Sequence, residues 1–177
     1  MSLPRPPQPA KLVLGLFMNQ QQLVLPVTDR LIQLFGALDM VSPWFDFCFT
    51  DYYESEMGAP LYRRMLVFAA LIQQNDLADI KQKTNTIEGL YAPGGKRSVN
   101  IDPGYLLRER FVLATGKNFA HRVYIGRDIY ADLTLIYRNG AFQTLEWTYP
   151  DYADPRMRDF LALVRKKYII DLKRDNS

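Results

Sequence analysis

The dipeptide Asn139-Gly140, set between two strand-forming runs in "IYADLTLIYRNGAFQTLEWTY" (129–149), constrains the fold more than any other stretch of the chain. Asn-Gly populates the positive-φ turn whose twist matches two antiparallel strands, so the chain must hold antiparallel sheet. With a two-residue turn, Asp132 lies opposite Trp147, Thr134 opposite Leu145 and Tyr130 opposite Tyr149, all on one side. The other side carries Ala131, Leu133, Leu135, Tyr137 and Phe142, with Glu146 among them. The first side suits a cleft for a ring-containing ligand, or a sheet face covered by the last helix.

Upstream, the hydrophobic period changes repeatedly. "KLVLGLFM" (11–18) is a continuous apolar run, the pattern of a strand buried on both faces. From Gln20 to Asp39 the apolar residues Val27, Leu31, Leu34, Phe35 and Leu38 recur at helical spacing. "WFDFCFTDYY" (44–53) alternates like a strand, and "YRRMLVFAALI" (62–72) reads as its hairpin partner. A second helix runs from Asp76 to Tyr91, capped by Asn75 or Asp76, with Leu77, Ile80, Thr84 and Ile87 on one face. "RSVNI" (97–101) is the next strand. The order strand, helix, strand, strand, helix, strand is that of a ferredoxin-like βαββαβ unit. Strands in "RFVLATG", "HRVYIG" and the Asn139-Gly140 hairpin extend it. A last helix starts at Asp154-Pro155 and lines Met157, Phe160, Leu161, Val164, Tyr168 and Leu172 on one face. The fold class is therefore α+β.

The 177 residues, 48% of them apolar, suffice for one full core. The expected organisation is a flexible Pro-rich arm over 1–10 and a single α+β domain over 11–177. The formal charge of +3 gives mild attraction to phosphates and makes nucleic acid an unfavoured partner. Cys48 is the single cysteine, which excludes intrachain disulfides and cysteine-based zinc sites. No apolar run nears the roughly 20 residues that span a bilayer, so the expectation is a cytoplasmic protein.

Polar residues gather at strand ends. "NIDPGY" carries Asn100, Asp102 and Tyr105, and Asp-Pro-Gly is also turn chemistry by itself. "ATGKNFAHR" (114–122) sets Thr115, Lys117, His121 and Arg122 in and after a Gly-containing turn, the combination of amides and cations that holds phosphate. His121 is the only histidine and the one side chain that exchanges protons near neutral pH without help. In "TDYYESEMG", Asp51, Glu54 and Glu56 stand close enough in sequence to share Mg²⁺, though their spacing matches no defined metal loop. "GLYAPGGKRS" lacks the first glycine of a P-loop and has Arg97 after the lysine where Ser or Thr belongs. No dinucleotide, hydrolase-elbow or paired-histidine metal motif is present.

The succession "TDYYESEMG", "TNTIEG", "VNIDPGY", "VLATGKNFAHRVYIG", "IYADLTLIY" and "LEWTYPDY" resembles the bacterial family catalogued as domain of unknown function 4416. The resemblance implies no established activity, cofactor or substrate. It directs attention to Asp51, Tyr53, Glu54, Glu56, Asn100, Asp102, Tyr105, Thr115, Lys117, His121, Arg122, Trp147 and Asp151.

Two readings follow. One is a site for a nucleotide or other phosphorylated small molecule, with Lys117 and Arg122 on the anion and Tyr105, Tyr130 or Trp147 on a ring. In it Asn100, Thr115 and Asp132 add polar contacts, and Asp102 and His121 supply acid-base chemistry. The alternative is a non-catalytic protein-interaction module using the aromatic strand face; contact with RNA is a weaker third.

Overall fold

Every residue of β1 (Ala10–Met18) is buried, as a strand covered on both faces must be. A computed structural model describes residues 3–47 and 54–175. After β1 come α1 (Val24–Phe35), β2 (Leu38–Val41), β3 (Phe45–Phe47), α2 (Glu54–Met57), β4 (Leu61–Ile72), α3 (Leu77–Leu90) and β5 (Val99–Leu106). Then follow β6 (Arg110–Thr115), β7 (Arg122–Gly126), β8 (Ile129–Arg138), β9 (Ala141–Thr144), α4 (Pro150–Ala153) and α5 (Pro155–Asp175). Among the described residues the strands form one antiparallel sheet in the order β2-β4-β1-β5-β6-β8-β7, with β3 also on β4 and β9 also on β8. The fold is α+β.

Alternation along β1 divides the core in two. Leu12, Leu14, Leu16 and Met18 pack against Val27 and Leu31 of α1 and Ile80 and Ile87 of α3. Val13, with Met65 and Val67 of β4, belongs to the opposite cluster, where α5 supplies Phe160, Leu161, Val164, Tyr168 and Leu172. The stripes of α3 and α5 are those the sequence spacing marks, whereas on α1 Val27 and Leu31 are buried but Leu34 is 47% exposed. No described helix is long and apolar enough to cross a membrane.

Four local expectations are corrected. The helix expected over Gln20–Asp39 stops at Phe35, because Gly36 at φ +87° turns the chain out of the helix, and Leu38 opens β2 opposite Phe68. Of the strand expected over 44–53, Phe45–Phe47 pairs with β4, and residues 48–53, with Asp51 and Tyr53, lie outside the described residues. Asp76 stands at the N-cap of the second helix as expected, but its side chain caps nothing in α3 and instead accepts from the Gln73 backbone N–H around the single turn that leads into the helix. Asp102-Pro103-Gly104 does not end β5 but lies inside it.

The arm is tied at its end: the Gln74 amide donates to the Gln8 carbonyl, and the Tyr168 hydroxyl donates to the Pro9 carbonyl at 2.7 Å. Lys11, fully buried, meets Asp39 and Asp171, which Lys167 also contacts. Burial works against the Asp171 charge, but hydrogen bonds from Lys11 and Lys167 outweigh it and hold the carboxyl below its usual range. Burial likewise works against the Lys167 charge, and the two aspartates raise its pKa in spite of it. Burial pushes the Tyr168 hydroxyl up to about 12, from 10.0.

These shifts fix the pH limits. A raised folded pKa contributes stability that is complete below the unfolded value and lost as pH rises toward the folded one. Tyr168 therefore withdraws stability between pH 10.0 and about 12, and Lys167 does so above 10.5. Asp171 acts at the acid end, losing its contribution as pH falls below 3.8. In urea titrations across pH, Tyr168→Phe is expected to flatten the alkaline fall and to cost about 1 kcal/mol at neutral pH for the lost hydrogen bond; an unchanged alkaline fall contradicts the assignment.

Candidate functional site

Pro103 opens the site. The Ile101 amide donates to Glu88 Oε1 at 2.8 Å, and the Ile101 carbonyl accepts from Lys81 Nζ at 2.8 Å. Two side chains of α3 thus serve the backbone of Ile101 on the side away from β1. Alternate residues of a strand send their backbone groups to the same side, so Pro103 would present its missing N–H there as well. β6 joins β5 only from Gly104, opposite Leu113. Before that point the strands have no ladder, and a proline is tolerated at no cost in hydrogen bonds.

A cavity of about 780 Å³ occupies the gap. Asn100 and Asp102 line it from β5, Thr115, Gly116 and Lys117 from the end of β6, and Asp132 from β8. α3 contributes Lys81, Asn85 and Glu88, and the start of α4 contributes Tyr149, Asp151 and Tyr152. Six of the sequence-derived candidates, Asn100, Asp102, Thr115, Lys117, Asp132 and Asp151, therefore meet in one place.

The walls are held by ion pairs. Arg97 donates to both carboxylate oxygens of Glu56, to Glu88 Oε2 at 2.7 Å and to Asn100 Oδ1 at 2.9 Å. Asn100 passes the order on through Nδ2 to Asp102 Oδ1 at 2.9 Å. The Arg97 hydrogen bond is the main cause that lowers the Glu56 pKa. On the far wall Asp132, 1% exposed, accepts from Arg122 Nε at 2.9 Å and from Thr134 Oγ1 at 3.2 Å, with His121 Nε2 at 3.2 Å. Arg122 also donates to the Lys117 carbonyl and to the Tyr149 hydroxyl. Burial first, then the negative charges of Asp132 and Asp102, push the Tyr149 hydroxyl up against the opposing Arg122. Beneath Phe17, Asp151 and Tyr152 sits Arg63, 1% exposed, paired with Asp151 and lying 4.0 Å from the Tyr152 ring centre and 4.5 Å from that of Phe17.

Other candidates go elsewhere. Tyr105 joins the core. Tyr130 packs on Tyr124, its partner in β7. Arg122 spends its nitrogens on Asp132, Lys117 and Tyr149, so it braces the loop instead of offering a free cation. His121 is not a lining residue: it contacts Asp132 and stacks on Trp147, ring centres 4.9 Å apart.

The hairpin also ends early. Its turn is as the sequence demands, Arg138 opposite Ala141, but β9 stops at Thr144, where the Thr148 hydroxyl takes the Leu145 amide. β7 fills the vacated edge, so Asp132 faces Arg122 instead of Trp147, and Trp147 reaches back to the Leu133 carbonyl at 2.8 Å. Of the acidic trio, Asp51 and the Glu54 side chain lie outside the described residues, and Glu56 is committed to Arg97. No group of three metal-binding side chains occurs among the described residues.

Lys81, Glu88, Arg97, Arg63 and Tyr149 were not singled out by sequence. The one available signal is that Lys81 and Glu88 sit seven apart, beside the apolar stripe Ile80–Ile87 and on its buried side. No curated protein and no solved structure matches the chain. The family model described as Domain of unknown function (DUF4416) matches residues 8–168. That span takes in all the described strands and the whole cavity lining, and the chain belongs to that family.

Proposed function

We propose that the cavity binds a nucleotide or another phosphorylated small molecule. The observation that carries this reading is the convergence of Asn100, Asp102, Thr115, Lys117 and Asp132 on one cavity of about 780 Å³, within the roughly 300–1,000 Å³ usual for small-molecule sites. The turn through Gly116 and Lys117 suits the anionic end, and Arg122 fixes it through the Lys117 carbonyl. The Lys117 amide already donates to Thr115 Oγ1 at 3.1 Å, so in this reading the anion is met by the Lys117 side chain and not by that amide. Acid-base chemistry, if the ligand undergoes any, falls to Asp102, since His121 lies behind Asp132.

The test is a thermal-shift screen against nucleotides and pyrophosphate. A ligand at a hundred times its dissociation constant adds about 2.7 kcal/mol, or on the order of 5–10 °C for a chain of this size. Lys117→Ala is expected to abolish that shift, measured against the variant's own unliganded melting temperature. A wild-type protein indifferent to every phosphate at millimolar concentration overturns the reading.

A second reading, a protein-interaction module, draws on the exposed Phe119, Val123 and Tyr124 around the edge strand β7. It gains if the screen is silent. For the scaffold we propose a ferredoxin-like βαββαβ unit over β1 to β5. The order β2-β4-β1-β5 and the placement of α1 and α3 on one face support that description.

A further inference from the structure

The carboxylates that line the cavity are paired with cations among the described residues, with one exception. Glu88 is paired with Lys81 and Arg97, Asp132 with Arg122, and Asp151 with Arg63. Asp102 is the lining carboxylate with no cationic partner among the described residues; its one hydrogen bond there is from the Asn100 amide. An amide holds a carboxylate in place without cancelling its charge. Asn100, 5% exposed, is itself locked by Arg97, which two glutamates anchor. Asp102 is thus a rigidly held, half-buried anion that opens on the cavity. A charge partly removed from water gains most from an opposite charge brought to it, and a neutral donor leaves the imbalance in place. The unmatched group therefore calls for a cation, carried in by whatever fills the cavity.

We propose that Asp102 receives an ammonium group of the ligand, so that the bound molecule carries an amine as well as a phosphate. The amine lies against the Asn100–Asp102 wall and the phosphate against the Gly116–Lys117 turn across the gap between β5 and β6. The inference rests on the phosphate-binding reading above for the anionic end, and on Asp102 alone for the amine.

The experiment is titration calorimetry of the full chain, wild type and Asp102→Asn, with three probes: O-phosphoethanolamine, ethyl phosphate and ethylamine. The wild type is expected to bind O-phosphoethanolamine about tenfold or more tightly than ethyl phosphate, as one added ion pair in a partly shielded site implies. In Asp102→Asn the two phosphates should agree within about twofold. Equal wild-type affinities for the two phosphates, or a preference that survives Asp102→Asn, overturn the proposal while leaving phosphate binding intact. Ethylamine binding that needs Asp102, with neither phosphate bound, upholds the amine assignment and overturns the phosphate reading. Silence with all three probes overturns both.

Discussion

Asp132→Ala is expected to lower unfolding free energy by about 3–5 kcal/mol, the range for removing one member of a buried ion pair. Asp132 is 1% exposed and receives Arg122 and Thr134, with His121 against the same oxygen as Arg122. Its removal strands a guanidinium whose side chain is 7% exposed. The loss arises from that uncompensated charge more than from the missing contact. Arg122→Ala alone should be costly for the mirror-image reason, and the double variant should cost less than the sum of the two. Urea unfolding of the four proteins checks this; strict additivity would mean that Asp132 and Arg122 are not energetically coupled. Because Arg122 also braces the Lys117 carbonyl and Tyr149, the Asp132→Ala protein should lose its ligand response as well.

Gly104→Ala is expected to cost about 3 kcal/mol or more, as forced overpacking of a core does. A methyl group there would sit 2.6 Å from the Val112 carbonyl oxygen and 3.0 Å from side-chain atoms of Phe111 and Leu113. Backbone on the neighbouring strand cannot swing aside, so β5 and β6 must separate at the pairing next to the cavity. Gly15→Ala is the control: its new methyl would lie 3.1 Å from the Tyr152 hydroxyl and 3.3 Å from an Arg63 nitrogen, both at the ends of side chains. It should be the milder of the two in chemical denaturation. If Gly104→Ala proves as stable as the wild type, the close approach of the strands at that point is wrong.

How much of this is legible in the sequence depends on whether the cause is local. The Asn139-Gly140 turn and the start of α5 at Asp154-Pro155 are encoded by adjacent residues, and both occur where the sequence sets them. The stripes of α3 and α5 follow from spacing alone. Asp-Pro-Gly misleads because its turn chemistry is local, whereas its place inside β5 is decided by the absence of a neighbour on one side. Asp132 is recognisable as a polar residue on a strand, yet its partner depends on β7 replacing the tail of the hairpin. Lys81, Glu88 and Arg97 look like ordinary surface charges, and Arg63 looks like half of a basic pair. Their roles come from the gap at Pro103 and from burial under α4, neither of which has a sequence pattern.

The service that α3 gives to Ile101 has a consequence for solvent exchange. In most sheets a slowly exchanging amide reports strand pairing, but the Ile101 amide is covered by the Glu88 carboxylate. Its deuterium uptake therefore times the separation of helix from sheet, and does so even while β1 and β5 stay zipped together. Residue 101 is a built-in clock for the wall of the cavity.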